Sequence, residues 1–124
     1  MKRIDTNIIV RYLADDIKQQ ADIAQQILEN ENVYIANEVL AEVIYVMCGV
    51  YEFTKNDICE VLIELIEFEN IFVNNKHFIK KALNIFSETS LDFVDCLLCA
   101  YGEVDEIVTF DKKLIKCVDK IKKK

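Results

Sequence analysis

Proline is absent and glycine nearly so, with only Gly49 and Gly102 among 124 residues. This excludes a collagen-like or Gly/Pro-rich disordered chain, and the isolated glycines exclude a glycine-rich phosphate loop. No Gly/Pro/Ser linker, repeat or low-complexity stretch interrupts the chain apart from the terminal lysines, so we expect one domain over residues 1–124. Acidic and basic residues break every apolar stretch, which excludes a membrane helix. The N-terminal MKRIDTN lacks the apolar core of a secretory signal, which leads us to expect a soluble cytoplasmic protein. Histidine occurs once, at His77, with no Ser or Cys partner recognisable beside it. No role is assigned to it.

What remains is 52% hydrophobic and 30% charged, the balance of a globular domain. A chain of this size buries roughly 68% of the surface exposed when unfolded, so no metal or disulfide framework is needed simply to hold it together. Five cysteines, an odd number, sit inside apolar runs (Cys48, Cys59, Cys96, Cys99, Cys117). We expect reduced core thiols, including the Cys96/Cys99 pair, which lies inside a helix rather than at an acidifying N-terminus. The net charge of −7 is unevenly spread. Residues 1–106 hold 8 Lys or Arg against 20 Asp or Glu, whereas residues 107–124 hold 7 Lys against Asp111 and Asp119. The basic tail is open to two readings, a solvated lysine end or a phosphate contact.

Periodicity predicts strands at about 2–5, 33–36, 71–73 and 106–110. Helices are predicted through IIVRYL up to Asp15–Asp16, then at about 17–30, 38–52 after an Asn37 cap, 55–69 after Thr54, 76–88 and 92–103, with a lysine-rich end. This alternation implies an α/β fold, a parallel sheet of four or five strands flanked by helices. In such sheets ligands bind beyond the carboxyl ends of the strands.

Four acids lie where chemistry is expected. Asp5 ends the first strand and Asp111 the last, so both leave one edge of a parallel sheet, although each also suits the capping of the next helix. Asp95 stands in Phe93-Val94-Asp95-Cys96-Leu97-Leu98-Cys99-Ala100-Tyr101, apolar on every side, where an ionised carboxylate is costly unless paired or opened onto a polar cleft. Glu42 borders the apolar stripe of its helix, while Glu38 and Asp92 fit first-turn or capping roles, with Asp92 also a candidate for the same site. Converging carboxylates repel by about 4 kcal/mol per pair at 4 Å and an effective dielectric near 20. Proton uptake or a divalent cation must offset that. An all-oxygen donor set selects Mg²⁺ or Mn²⁺ over Zn²⁺, and such an ion suits phosphodiester hydrolysis.

The ordered segments D-T-N-I-I-V-R-Y-L (5–13), L-A-E-V-I-Y-V-M (40–47), L-D-F-V-D-C-L-L-C-A (91–100) and V-T-F-D-K-K-L (108–114) resemble the PIN-domain ribonucleases, and among them the VapC-type toxins of toxin–antitoxin pairs. The resemblance covers nearly the whole chain. It implies a PIN-like three-layer sandwich and places the four acidic positions of the family on Asp5, Glu42, Asp95 and Asp111, with Thr6, Asn7 and Thr109 orienting them. It further implies an RNA substrate, a Mg²⁺ or Mn²⁺ cofactor, a cognate antitoxin and a homodimer. Arg3, Arg11 and the tail lysines are the few cations available to grip RNA. The alternative is a catalytically inactive PIN-like RNA- or protein-binding module. A phosphatase of the haloacid dehalogenase kind would want an Asp where Asn7 stands. A receiver domain would want an acidic pair after the first strand and a Lys after the last.

Overall fold

The computed structural model describes residues 1–123. Ten elements follow in chain order: β1 (Lys2–Arg3), α1 (Thr6–Ala14), α2 (Lys18–Asn30), β2 (Val33–Tyr34), α3 (Asn37–Gly49), α4 (Lys55–Ile66), β3 (Ile71–Phe72), α5 (Lys76–Glu88), α6 (Phe93–Tyr101) and α7 (Lys112–Lys122). They fall into two compact units, one of residues 1–76 and one from His77 onward. Among the described residues no helix is long and apolar enough to cross a membrane.

The first unit is the α/β half. Its strands pair in parallel in the order β1-β2-β3, with Lys2 opposite Val33 and Val33 opposite Ile71. Ladder bonds run from Lys2 N to Asn32 O, from Val33 N to Asn70 O and from Ile35 N to Phe72 O, at 2.8–2.9 Å. Parallel strands cannot be joined by tight hairpins, so helical crossovers link β1 to β2 and β2 to β3. Asn70 steadies the arrangement by donating its side-chain amide to Leu28 O (2.8 Å) and Glu31 O (2.7 Å), which ties the end of α2 to the start of β3. The core forms from Leu28 of α2, Ile35 after β2, Leu40 and Met47 of α3, and Ile58 and Leu62 of α4, all fully buried.

Local chemistry explains the helix limits. Asp15 stops α1 in the left-handed conformation (φ 51°), its N–H bonded to Arg11 O, a geometry that Asp tolerates better than most residues. Thr54 caps α4 by accepting from Asp57 N at 3.1 Å, as the sequence suggests. At α3 the cap position falls on Ala36, and Asn37 is the first helical residue rather than the cap.

The second unit is helical. In α5, Ile79, Ala82, Leu83 and Phe86 recur at helical spacing and are buried. Phe86 meets Phe93 of α6 edge-on at 6.5 Å, and Phe78 meets Tyr101 at 5.3 Å. A small apolar cluster of Cys99, Leu114 and Val118 joins α6 to α7, with Ile85, Ile107 and Ile121 packed against it.

Three expectations need correction. Among the described residues the sheet has three strands rather than four or five, because Glu106–Phe110 pairs with no strand. The segment alternates as a strand would, with Val108 and Phe110 at 89% and 103% exposure, but alternation without a hydrogen-bonding neighbour makes an extended segment only. The cysteines are not all thiols either: Cys99 of α6 and Cys117 of α7 form a disulfide with a Cα separation of 6.1 Å, and Cys48, Cys59 and Cys96 remain thiols. The packing of α6 on α7 brings together two positions 18 residues apart, a contact that no local pattern reveals. Finally, α6 is not buried on every side, since Val94 and Leu98, four residues apart on one face, are 54% and 38% exposed.

Candidate active site

Asp5 stands two residues after β1, beyond Ile4, and caps α1, accepting from Ile8 N at 3.3 Å. Its extended backbone turns the chain from strand into helix and leaves the carboxylate exposed beyond the carboxyl end of the sheet. Thr6, the next residue, is the buried polar side chain of this unit, and Asn7 beside it is exposed. Glu42 lies on α3, the helix that follows the carboxyl end of β2, exposed between the buried Leu40 and Val43. Glu38, in the first turn of α3, is also exposed.

The second unit carries the other three acids. Asp92 caps α6, and its carboxylate accepts from Asp95 N at 2.8 Å. Asp95 itself is partly buried in the first turn of α6. Asp111 caps α7 twice over, accepting from Lys113 N at 2.9 Å and Leu114 N at 3.1 Å. Its own N–H is held by the Thr109 hydroxyl at 3.1 Å, which fixes the turn that aims the carboxylate. Burial, and then the negative charges of Asp92 and Asp111, push the Asp95 carboxyl above the usual Asp range. The charges of Asp92 and Asp111 thus both act on Asp95. Among the described residues, however, no three Asp, Glu, His or Cys side chains are gathered so as to hold a metal ion.

The capping and site readings of Asp92 and Asp111 are thus not exclusive. A capping aspartate has its backbone fixed and one carboxylate oxygen engaged, which leaves the other free to accept. The donor chemistry is hard oxygen throughout, since His77 is tied to Glu103 at 3.0 Å and the disulfide removes Cys99 and Cys117 as thiolate ligands. Such a set suits a hard divalent cation.

The cations are placed less as expected. Arg3 lies over the Tyr34 ring at 4.4 Å. Arg11 is engaged by Asp16 and by the Tyr51 hydroxyl, each at 3.0 Å, while Tyr51 in turn donates to Asp16 at 3.0 Å. What sequence reasoning missed is a groove of about 310 Å³ in the second unit, between residues 89–91 and the Lys113, Lys116 and Lys120 face of α7. Only the density of lysine in the tail hinted at it.

A parallel sheet with an exposed acid beyond the carboxyl end of β1 in the first unit, and a helical second unit in which Asp92 and Asp111 act on Asp95, define an α/β protein with acidic side chains at the starts of its helices. The chain belongs to the PIN domain family, whose profile matches residues 3–120. It is similar to a VapC ribonuclease of Aquifex aeolicus (strain VF5), with 26% identity over 124 residues covering 94% of this chain and 91% of that protein. No solved structure gives a significant match.

Proposed function

We propose that this protein is a metal-dependent endoribonuclease, the toxin of a toxin–antitoxin pair, in which residues 1–124 act as one PIN-like domain. The observation that carries the catalytic reading is the field at Asp95, a partly buried carboxyl whose acting charges, Asp92 and Asp111, are both negative. A carboxyl that is both partly buried and under the negative charge of two neighbours is costly to ionise, and a divalent cation offsets that cost. Membership of the PIN family and the similarity to a VapC ribonuclease supply the reaction class.

In this reading Asp5, Asp95 and Asp111 ligate Mg²⁺ or Mn²⁺ directly, and Glu42 does so directly or through water. When bound there, such an ion would neutralise charge at the scissile phosphate and would lower the pKa of the attacking water. The protein's own task is positioning. Thr109 holds the backbone of Asp111 and Asp92 holds that of Asp95, and the role proposed for Thr6 and Asn7, which follow Asp5 in sequence, is to orient its carboxylate. The substrate is RNA, the partners are a cognate antitoxin and a second copy of the chain, and the location is the cytoplasm, where thiol reductants act on Cys99–Cys117. One observation favours the alternative of an inactive binding module: no three ligands are gathered ready for an ion among the described residues.

Two measurements decide. Purified protein with a mixed RNA pool is expected to cleave in Mn²⁺ or Mg²⁺ and to stop in chelator, and Asp95→Asn or Asp111→Asn is expected to abolish cleavage. Independently of activity, millimolar Mn²⁺ is expected to raise the Tm of the wild type and not that of Asp95→Asn, because an ion that binds only the folded state stabilises it. Metal-dependent cleavage by a folded Asp95→Asn variant, or equal Tm shifts in both proteins, defeats the catalytic reading.

A further inference from the structure

We propose that the groove between residues 89–91 and α7 binds the phosphate backbone of the RNA strand next to the cleavage site, with Lys113, Lys116 and Lys120 as its contacts. The inference rests on the ribonuclease reading above and adds the surface that holds the substrate.

Helix geometry comes first. At 100° per residue, positions 113, 116 and 120 fall within an arc of about 60°, and the rise from first to last is about 10 Å. Three ammonium groups therefore line one side of a single groove of about 310 Å³. The opposite wall is Thr89, Ser90 and Leu91. Lys113 reaches across it, donating to the Ser90 hydroxyl at 3.3 Å.

Charge comes second. In a protein of net charge −7, cations are usually neutralised by neighbouring acids. Four cations are so paired: Lys2 with Glu31, Arg11 with Asp16, Lys18 with Asp22 and Lys81 with Glu103. Lys116 and Lys120 are exposed and make no ion pair with any described residue. Unneutralised ammonium groups along a concave wall concentrate positive potential, which is what a polyanion follows.

Continuity with the acids comes third. The Lys113 N–H is bonded to the Asp111 carboxylate at 2.9 Å, and Ser90 stands two residues before Asp92. The contact between Lys113 and Ser90 is thus flanked in sequence by two acids of the candidate site. A strand held for hydrolysis there needs cations where it leaves the acids, because the rest of the chain repels it. Leu91 and the lysine stems give the groove apolar wall for a ribose or base, and the lysines meet successive phosphates.

The test is fluorescence polarisation with a labelled random single-stranded RNA 20-mer, in chelator so that nothing is cut, across 50–200 mM salt. Lys113→Gln/Lys116→Gln/Lys120→Gln is compared with the wild type and with Lys18→Gln, after Tm shows all three folded. Losing three phosphate contacts is expected to reduce the slope of log affinity against log salt by about 2, so the wild type loses roughly 20-fold more affinity than the triple variant over that range. Lys18→Gln is expected to follow the wild type. With Mn²⁺ added, the triple variant is expected to raise KM and leave kcat within about twofold.

If the wild type cleaves RNA and the triple variant binds it with an unchanged slope, the groove is not the RNA grip and the proposal fails while the ribonuclease reading stands. If no cleavage occurs but the slope falls as expected, the ribonuclease reading fails and the groove stands as an RNA site. Poly-glutamate of matched charge that displaces the RNA at equal concentration would identify an acidic-peptide site and overturn the proposal.

Discussion

Asp5, Asp92 and Asp111 each hold the first turn of a helix through a carboxylate oxygen, and each is also a candidate for the catalytic set. The two duties separate by substitution, because asparagine caps a helix about as well as aspartate while carrying no charge. Asp111→Asn is therefore expected to melt within a degree or two of the wild type and to have no cleavage activity. Asp111→Ala is expected to lose activity and also about 1 kcal/mol of stability, read by urea denaturation. Equal stability losses in both variants would mean that charge, not capping, is what Asp111 gives the fold. Glu103 shows a different residue-scale effect. The Lys81 ammonium at 2.6 Å, and then His77 at 3.0 Å, hold its carboxyl below the usual Glu range. Because the folded-state pKa is depressed, the stabilisation is present above the unfolded Glu value, about 4.3, and is lost as pH falls through the folded value. The Tm advantage of the wild type over Glu103→Gln is expected at pH 7 and to shrink below about pH 4 in calorimetry. A constant gap between pH 7 and pH 3 would show that the contact is not electrostatic.

At the scale of elements, the pair α6 and α7 carries most of the chemistry and most of the constraint of the second unit. Cys99 and Cys117 join them covalently, and Gly102 closes α6 where a Cβ would lie 2.9 Å from Cys99 O and 3.1 Å from Val118 Cγ1. The glycine is there for space, since a backbone carbonyl cannot step aside as a flexible side chain can. Gly102→Ala is expected to cost about 1–3 kcal/mol through overpacking, measured by denaturant unfolding. The disulfide is tested by counting: protein purified without reductant and denatured is expected to titrate three thiols, Cys48, Cys59 and Cys96, and five after reduction. Reduction is expected to lower stability by about 3 kcal/mol, the loop-closure value for a separation near 18 residues. Five thiols before reduction would leave α6 and α7 joined by packing alone. These elements were legible in sequence to different degrees. The stop of α1 at Asp15, the Thr54 cap and the span of α5 follow from local chemistry, and they stand where that chemistry puts them. The segment 106–110 reads as a strand because alternation is local, whereas the partner that makes a strand is not. The Cys99–Cys117 bond and the lysine groove are likewise long-range contacts, and no spacing within one element announces them.

At the scale of the whole chain, the candidate acids are divided between the two units, with Asp5 and Glu42 in the first and Asp92, Asp95 and Asp111 in the second. In the sequence, expected strand ends point to Asp5 and Asp111 and an apolar run points to Asp95, whereas Glu42 stands out only as a border residue of its helix and through the family resemblance. Their capping roles and the mutual field on Asp95 needed coordinates, because both depend on where backbone N–H groups and other charges lie. The family profile runs across both units, from residue 3 to residue 120, which supports treating them as one functional domain. That proposal has a thermodynamic consequence. A single domain of this size unfolds in one cooperative step, whereas two independent units lose their protection separately. Hydrogen exchange followed peptide by peptide in increasing urea is expected to give one opening free energy for the slowest amides of α4 in the first unit and of α5 in the second. The midpoint is expected to match that of circular dichroism, and a single m-value to account for the surface of the whole chain. Two separate isotherms would remove the single-domain proposal. They would also bear on catalysis, because carboxylates on units that open independently would hold an ion only at the cost of ordering one unit against the other, a cost that weakens metal affinity by the fraction of time the two are out of register. Measuring the Mn²⁺-induced Tm shift alongside the exchange experiment therefore tests whether cooperativity between the units and metal binding rise and fall together.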